Sequence, residues 1–596
     1  MNIDILLREG IQQAFQSLFN IALALEDIEL QSTRKEFEGT HTFVCFPFAA
    51  ACKLSPEGVA NEIGNWLQHH TDWLARFNVV KGFLNLMLKD TIWLEQFNQM
   101  YQTEKFCYFP SNGQKIVVEF SSPNTNKPLH LGHLRNNFLG YAVSQILQAV
   151  GYEVYQVNLI NDRGIHICKS MVAYQHWGRG ETPESTGLKG DQLVGKYYVK
   201  FDQVYKEQVA ALTQTLGDAE QAAKQAPLLQ EVQAMLKNWE AGDMEVLALW
   251  EKMNSWVYEG FQSTYQKLNI TFDKVYYESQ TYLLGKEVIA EGLAKGVFYK
   301  KSDGSVWIDL TQEGLDEKLL LRSDGTAVYI TQDMGTADLR YQDFKPHKLV
   351  YVVGNEQDYH FEVLTKIMQR LGRPYATDMY HLSYGMVDLP TGKMKSREGT
   401  VVDADMLIEE MVETAEKHTK ELGKIDEFSE IEAKELYQVL GMGALRYFLL
   451  RVDAKKRLLF DPRASIDFQG DTGPFIQYTH ARIAAVLRKA EQANINFKST
   501  EIAKNIDLHP LERELIVQLA TFPEKLKESA MSYAPAIVAQ HALEISKAYN
   551  RMYAELSMLH EPDIKLKLFR LQLSTLVASV IRTMMHLLGI VVPDRM

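Results

Sequence analysis

The chain has 596 residues, 46% of them hydrophobic and 23% charged, a balance that excludes a disordered, collagen-like or fibrous protein. At about 150 residues per domain, this length predicts roughly four domains. The formal net charge of −13 argues mildly against a nucleic-acid partner, unless local basic patches meet the phosphates.

Cysteine usage and apolar segments predict a cytoplasmic protein with no membrane partner. The four cysteines form no CxxC pair, so neither a disulfide framework nor a cysteine-based zinc site is expected. The first ten residues carry three charged side chains and do not resemble a signal peptide. Residues 571–592 are strongly apolar but contain Arg582 and His586, so they predict a buried helix.

Residues 1–110 are predicted to form a small α+β domain. Helical spacing extends from residue 4 to about residue 25, and a strand-like run follows at 41–46. A Ser-Pro-Glu sequence at 55–57 predicts the start of a second helix, since Ser is favoured as N-cap and Pro at the first helical position. Residues 79–88 are predicted as one strand with a glycine interruption.

The next segment predicts a βαβ unit. A β-branched strand at 115–120 is followed by a loop with two prolines, a helix at 132–150 and a second strand at 152–160. This spacing implies parallel pairing with a right-handed crossover. Ligands of such sheets bind at the carboxyl ends of the strands, where the helices begin.

The remainder divides into a polar helical insertion at about 180–269, a region with further strands, and a nearly all-helical part after about residue 402. No period of 20 to 50 residues recurs, which excludes a repeat protein. The further strands are predicted at 297–301, 305–310, 327–330 and 348–354.

The strongest chemical motif, SSPNTNKPLHLGHLRN at 121–136, lies between the first strand of the βαβ unit and its helix. His130 and His133 flank Gly132 at the predicted helix start. Glycine allows a phosphate to approach the backbone closely, the helix N-terminus attracts anions, and imidazoles can donate hydrogen bonds to phosphate oxygens. The motif indicates nucleotidyl transfer; the alternative is two histidines that only cap a helix.

A second motif, LPTGKMKSREGTVV at 389–402, predicts a basic loop. Its cations Lys393, Lys395 and Arg397 lie on a glycine-flanked segment. Flexible lysines are suited to holding a triphosphate as pyrophosphate leaves. An ordinary solvated turn is the alternative.

In this order, the two motifs resemble the signatures of class I aminoacyl-tRNA synthetases. The segments NDRGIHICKSM, RSDGTAVYITQDMGTA, VYVVGNEQDYHF and GDTGPFIQYTHARI narrow the resemblance to arginyl-tRNA synthetases, and it covers essentially the whole chain. It implies a multidomain α/β fold with four parts: an N-terminal α+β tRNA-contacting domain at 1–110, a Rossmann-like parallel-sheet catalytic domain at 111–410, a helical connecting region at 411–470 and an α-helical anticodon-binding bundle at 471–596.

The resemblance also implies the activity of an arginine–tRNA ligase. Arginine is activated with ATP to arginyl-adenylate, pyrophosphate is released, and arginine passes to the 3′-terminal adenosine of tRNA-Arg. Activation is expected to require bound tRNA. ATP is expected as a substrate together with Mg²⁺, and no zinc is expected. The protein is expected to be a monomer.

The nucleotide site follows from the two signatures. His130 and His133 are expected to stabilise the adenylation transition state, together with a lysine of the second motif. The sequence KMKS lacks one residue of the KMSKS signature of the class. Either Lys393 or Lys395 can therefore be the equivalent of the signature's catalytic lysine. The predicted ATP-binding residues are Pro128, His130, Gly132, His133, Lys395 and Ser396.

The amino-acid pocket is expected to be acidic, because a guanidinium is always charged and offers five N–H donors to carboxylates. Tyr329 and Asp333, four residues apart, resemble the guanidinium-binding pair of the family. Glu278 resembles the second carboxylate of the family's guanidinium site. Unpaired carboxylates are costly, so a cationic ligand is their natural partner. Without the resemblance, Tyr329 and Asp333 would be a helix-start pair. Further predicted arginine-binding residues are Asn124, Gln357 and, less directly, Glu119.

Residues 446–463 carry six Arg or Lys against two Asp and form the local basic patch that the acidic total requires. A solvated helix face is the alternative. In the N-terminal domain, Asn85 and Phe83 are candidates for tRNA contact, although core packing suits Phe83 better. The predicted tRNA-binding residues are Arg446, Lys455, Lys456, Arg457 and Asn85.

Three other functions stay open. A synthetase for glutamate, glutamine or cysteine would share the ATP site, but its pocket would be basic or zinc-bearing. A small-molecule nucleotidyltransferase would not need the helical tail. A non-catalytic tRNA-binding relative would not need His130, His133 and Lys395.

Overall fold

The computed structural model describes residues 3–34, 36–388, 402–421, 423, 428–498 and 506–596. The amino-terminal part packs helices against one antiparallel sheet, in which the strand order is β1-β2-β4-β3. Its helices are α1 (Ile3–Phe19), α2 (Ala49–Cys52), α3 (Pro56–His70) and α4 (Asp90–Gln102). Its strands are β1 (Leu30–Ser32), β2 (His41–Val44), β3 (Leu74–Val80) and β4 (Phe83–Leu88).

Two sequence predictions in this part have different outcomes. Ser55 caps α3 as predicted, its Oγ accepting a hydrogen bond from the Gly58 N–H at 3.0 Å. The single strand predicted at 79–88 is wrong, because β3 and β4 form an antiparallel hairpin there. Lys81 and Gly82 both have positive φ, the conformation of a two-residue turn that matches the twist of the flanking strands.

A five-stranded parallel sheet in the order β12-β11-β5-β6-β7 forms the centre of the molecule. Its strands are β5 (Lys115–Glu119), β6 (Glu153–Ile160), β7 (Lys274–Tyr277), β11 (Lys348–Gly354) and β12 (Met379–Tyr384). The helices packed around it are α5 (Leu131–Ala149), α6 (Ile165–Trp177), α12 (Glu278–Thr281), α13 (Gly285–Ala294), α14 (Tyr329–Phe344) and α15 (Asp358–Arg370). The predicted βαβ unit is confirmed as β5, α5 and β6.

The sheet is buried on both faces, which explains why its strands are continuous apolar runs. Ile116 and Val118 of β5 belong to a core shared with α5, whereas Val117 belongs to a second core shared with α13, α14 and α15. This alternation follows from the two-residue side-chain period of a strand.

Two smaller sheets accompany the central one, β10-β9-β8 and β13-β14. Their strands are β8 (Tyr299–Lys300), β9 (Val306–Ile308), β10 (Lys318–Leu321), β13 (Val387–Asp388) and β14 (Leu458–Leu459). The strand predicted at 327–330 is wrong, because α14 begins at Tyr329 with Val328 as its N-cap. A short apolar run does not distinguish a strand from a buried helix start.

The predicted insertion between β6 and β7 is helical. It contains α7 (Pro183–Thr186), α8 (Gly190–Leu216), α9 (Ala219–Gln225), α10 (Pro227–Glu240) and α11 (Met244–Lys267). The carboxyl-terminal part contains α16 (Ala404–Glu421), α17 (Glu430–Leu450), α18 (Pro462–Ser465), α19 (Gly473–Gln492), α20 (Pro510–Ser532), α21 (Pro535–Glu555) and α22 (Ile564–Leu587).

The apolar stretch at 571–592 is confirmed as a buried helix, since most of α22 lies in the core. Arg582 pairs with Asp594 at 2.8 Å outside that core. Within the ranges that the structure describes, no helix combines the length and apolar character needed to cross a membrane.

Candidate active site

The histidine motif lies where β5 ends and α5 begins. His130 is the N-cap of α5, and its Nδ1 accepts a hydrogen bond from the Gly132 N–H at 3.1 Å. The Nδ1 of His133 accepts from the His130 N–H at 3.1 Å. Both rings therefore cap the helix, and with Nδ1 acting as acceptor each neutral imidazole carries its proton on Nε2. The capping role fixes the tautomer and leaves a donor for a ligand.

Both imidazoles are held neutral. Burial, followed by the positive charge of Lys127, lowers the pKa of His130 to about 3. Burial, His130 and Lys127 lower the pKa of His133 well below its usual value. Gly132 leaves room for the His130 ring, because an added Cβ would lie 3.0 Å from it. Lys127 was not among the predicted site residues, although its place inside the motif was a usable signal.

The loop before α5 is held from two sides. Asn124 forms an isolated parallel bridge with Asn161 at the end of β6, and the Thr125 N–H donates to the Asn161 carbonyl at 3.0 Å. Pro128 packs close to Gly195 of α8, where an added Cβ would lie 2.8 Å from its Cδ. The loop before α5 therefore contacts the helical insertion.

The second motif falls on residues 389–401, so Lys393, Lys395 and Ser396 lie outside the described residues. The chain that follows is described. Asp403 forms an antiparallel bridge with His130, and the Ala404 N–H donates to the Leu129 carbonyl at 2.9 Å. The chain leaving the second motif is thus joined to the N-cap of α5 and to the residue before it.

A cavity of about 620 Å³ opens at the carboxyl ends of β6 and β7. Three of the predicted arginine-binding residues line it, namely Asn124, Glu278 and Tyr329. Burial raises the pKa of the Glu278 carboxyl to about 7, against the opposing charge of Arg163. Arg163 and Gln332 also line the cavity and were missed by sequence reasoning.

Asp333 does not line this cavity and has a partner within the chain. It lies one turn beyond Tyr329 on α14, and its Oδ2 is 2.6 Å from the Nε2 of His360. The expectation of an unpaired carboxylate is therefore wrong. The hydrogen bond with His360 holds the Asp333 side chain in place on α14.

Glu119 is an interior residue in this structure. It forms a buried ion pair with Arg340 and accepts a hydrogen bond from the Ser122 hydroxyl at 3.1 Å. Burial raises its pKa, while Arg340 lowers it and Asp333 raises it. Its guanidinium partner is the protein's own Arg340, which corrects the prediction of direct arginine contact. Gln357 lies exposed in a short turn after β11.

The prediction of the tRNA-binding residues is wrong for two of the five, Arg446 and Asn85. Arg446 is 2% exposed, donates to the Leu268 carbonyl, and lies 4.7 Å over the Phe138 ring. Asn85 is also 2% exposed, donating to Asn78 Oδ1 at 2.7 Å. Neither side chain can reach a phosphate, because internal partners hold both of them. The three remaining cations, Lys455, Lys456 and Arg457, are exposed, and Arg457 pairs with Asp388.

A second cleft, of about 630 Å³, lies in the carboxyl-terminal helices. Arg482 lies between two of its tyrosines, 4.8 Å from the Tyr478 ring and 5.2 Å from the Tyr553 ring. Arg488, Lys489 and Arg595 also line it. The four-residue spacing of Tyr478 and Arg482 on α19 was the available sequence signal.

Three family models together match most of the chain. They are the arginyl tRNA synthetase N terminal domain at 6–88, the class I (R) tRNA synthetase catalytic domain at 97–461 and the DALR anticodon binding domain at 476–596. With the parallel sheet and its histidine motif, they define a class I aminoacyl-tRNA synthetase.

Curated relatives narrow the class. An arginine–tRNA ligase of Amoebophilus asiaticus is 80% identical over 596 residues, and one of Flavobacterium psychrophilum is 52% identical, each alignment covering 100% of both chains. The chain belongs to the arginyl-tRNA synthetase family. A solved arginyl-tRNA synthetase of Thermus thermophilus shares the fold, with a TM-score of 0.79 at 24% identity over 100% of both chains.

Proposed function

We propose that the protein activates L-arginine with ATP and transfers it to tRNA-Arg. The observation that carries this proposal is the pair of neutral histidines at the start of α5, which follow the loop whose Asn124 lines a cavity together with Glu278. Sequence identities of 80% and 52% to curated arginine–tRNA ligases, over the full length of both chains, support arginine as the substrate.

In the first step, an oxygen of the arginine carboxylate attacks the α-phosphorus of ATP in line, and the bond to the pyrophosphate oxygen breaks. His130 and His133 donate their Nε2–H groups to phosphate oxygens as negative charge develops. The α5 N-terminus and Lys127 add positive potential. Lys393 and Lys395 are proposed to hold the departing pyrophosphate.

Mg²⁺ is proposed to enter with ATP. Among the residues that the structure describes, no three His, Cys, Asp or Glu side chains are grouped to hold a metal ion. Magnesium retains several waters and binds readily to substrate phosphates, so the site fits an ion held chiefly by the nucleotide. When bound, the ion would neutralise phosphate charge.

Arginine recognition is assigned to the cavity and its rim. Glu278 supplies a carboxylate for the guanidinium, and Asp333, held by His360, adds negative charge from the neighbouring helix. Tyr329 and Asn124 line the same cavity, and Gln357 is proposed to face the amino-acid end. A site built around five N–H donors discriminates strongly against analogues that lack them.

In the second step, a ribose hydroxyl of the terminal adenosine attacks the adenylate carbonyl carbon and AMP leaves. The class implies the 2′-hydroxyl. The aromatic and basic cleft of the carboxyl-terminal helices is proposed to receive anticodon bases, since Tyr478 and Tyr553 offer stacking faces. Activation is proposed to require bound tRNA.

The test is ATP–pyrophosphate exchange with arginine, with and without tRNA-Arg, followed by a charging assay. We expect exchange with arginine in the presence of tRNA. Citrulline, which is neutral and nearly the same shape, is expected to give none. Exchange with glutamate, glutamine or cysteine would assign another synthetase specificity, and no exchange under any condition would indicate a non-catalytic tRNA-binding relative. A cytoplasmic monomer of 68.2 kDa is also proposed, to be checked by light scattering.

A further inference from the structure

Asp162 connects the candidate amino-acid pocket to the helical insertion. It is 1% exposed and lies two residues after the end of β6, in the loop that lines the cavity. Its Oδ1 accepts a hydrogen bond from the Ser279 N–H at 2.8 Å, and its Oδ2 accepts from the Ser279 hydroxyl at 2.7 Å. Ser279 immediately follows Glu278, the carboxylate that lines the cavity.

Helix α11 of the insertion holds the same residue. The Tyr258 hydroxyl donates to Asp162 Oδ2 at 2.9 Å. The indole N–H of Trp250 and the amide of Asn254 donate to the Asp162 carbonyl at 2.6 and 3.2 Å. A buried carboxylate with three donors is well satisfied, so its geometry is fixed by the elements that supply them.

The next residue, Arg163, is held by the insertion as well. Its guanidinium pairs with Glu240 of α10 at 2.9 Å and lies 3.7 Å over the Tyr282 ring. Glu240 thereby gives Arg163 a carboxylate partner other than Glu278. The insertion thus fixes the cation that competes with a substrate guanidinium for Glu278.

We propose that Asp162 is a positioning residue for arginine recognition, which holds Ser279 and so fixes the carboxylate of Glu278 against the cavity. The inference rests on the proposed function and extends it, because it assigns a role to the insertion at about 180–269. Helices α10 and α11 support the pocket wall through the Asp162–Arg163 pair.

The test compares Asp162→Ala, Asp162→Asn and Ser279→Ala with the wild-type enzyme in tRNA-dependent exchange. We expect Asp162→Ala to raise the arginine KM by about tenfold or more, while the ATP KM stays within about twofold. Asp162→Asn keeps an acceptor for the Ser279 N–H and is expected to recover part of the loss. The double variant Asp162→Ala/Ser279→Ala is expected to be no worse than Asp162→Ala alone, since Asp162→Ala already removes both hydrogen bonds between these two residues.

Asp343→Asn is the matched control. The Asp343 carboxylate accepts hydrogen bonds from two side chains of β7, the Lys274 ammonium and the Tyr276 hydroxyl, both at 2.6 Å, but it does not line the cavity. Its arginine KM is expected to stay unchanged.

An unchanged arginine KM in both Asp162→Asn and Ser279→Ala would overturn the inference, as would equal rises in the arginine and ATP KM. These two milder variants decide the question if Asp162→Ala does not fold. A wild-type enzyme without arginine-dependent exchange would instead refute the proposed function, so the two failures are distinguishable.

Discussion

His130 combines two roles that a substitution can separate. Its Nδ1 caps α5, and its Nε2–H is the proposed phosphate donor. Asparagine is a strong N-cap but places no donor where Nε2 lies. We therefore expect His130→Asn to unfold at nearly the wild-type temperature while kcat for exchange falls about 10² to 10³-fold. Thermal unfolding and exchange kinetics on one preparation check this, and full activity in His130→Asn would leave His130 only the capping role.

Glu278 predicts a pH dependence of arginine binding. Burial raises its pKa to about 7, so the carboxyl is mostly neutral at pH 6 and mostly charged at pH 8. Only the charged form attracts a guanidinium, so the arginine KM should fall as pH rises through this interval. The ATP KM is the internal reference, since Glu278 is proposed to bind the amino acid and not the nucleotide. In Glu278→Gln the arginine KM should be high and flat, and a surviving inflection would assign the titration to another group.

At the scale of elements, local signals were sufficient where periodicity and caps agreed. The βαβ unit and the Ser55 cap follow from a β-branched run, a Pro at the first helical position and a glycine after α5. The hairpin at Lys81 and Gly82 was missed because its turn lies inside an apolar run. The 327–330 run was too short to separate a strand from the start of α14.

The sequence suggested candidate residues for the site, but it did not reveal which other side chains of the protein they contact. Parallel strands bring their carboxyl ends to one edge, so Asn124 after β5 and Glu278 after β7 line the same cavity. No strand was predicted at 274–277, and the two residues were assigned to one pocket through the family resemblance. The partners of Glu119, Asp333 and Arg446 come from distant parts of the chain, and no local pattern announces them. A buried arginine such as Arg446 cannot be told from an exposed one by residue type alone. This explains why Arg446 was wrongly assigned to the tRNA-binding patch.

For the whole molecule, an acidic chain must present its cations locally to bind tRNA. Among the residues that the structure describes, the candidate surfaces are the exposed segment at 455–457 and the cleft of the carboxyl-terminal helices. The cleft adds aromatic faces to its cations, which suits unpaired bases as well as phosphates. We therefore expect it to contribute the more base-specific part of the affinity.

A salt titration of tRNA binding separates the two surfaces. Each lost phosphate contact lowers the slope of log K against log salt by about 0.7 to 0.9. Arg488→Ala/Lys489→Ala and the triple alanine variant of residues 455–457 should each reduce this slope. Tyr553→Ala should weaken binding with little change in slope, because stacking releases few counterions.

The control is Lys420→Ala, which removes an exposed cation of α16 that is paired with Glu416, and it should leave tRNA binding unchanged. The arginine and ATP KM at saturating tRNA should stay constant in all of them. A wild-type slope in the cleft variants would place the anticodon on another surface, and a wild-type slope in every variant would exclude both surfaces.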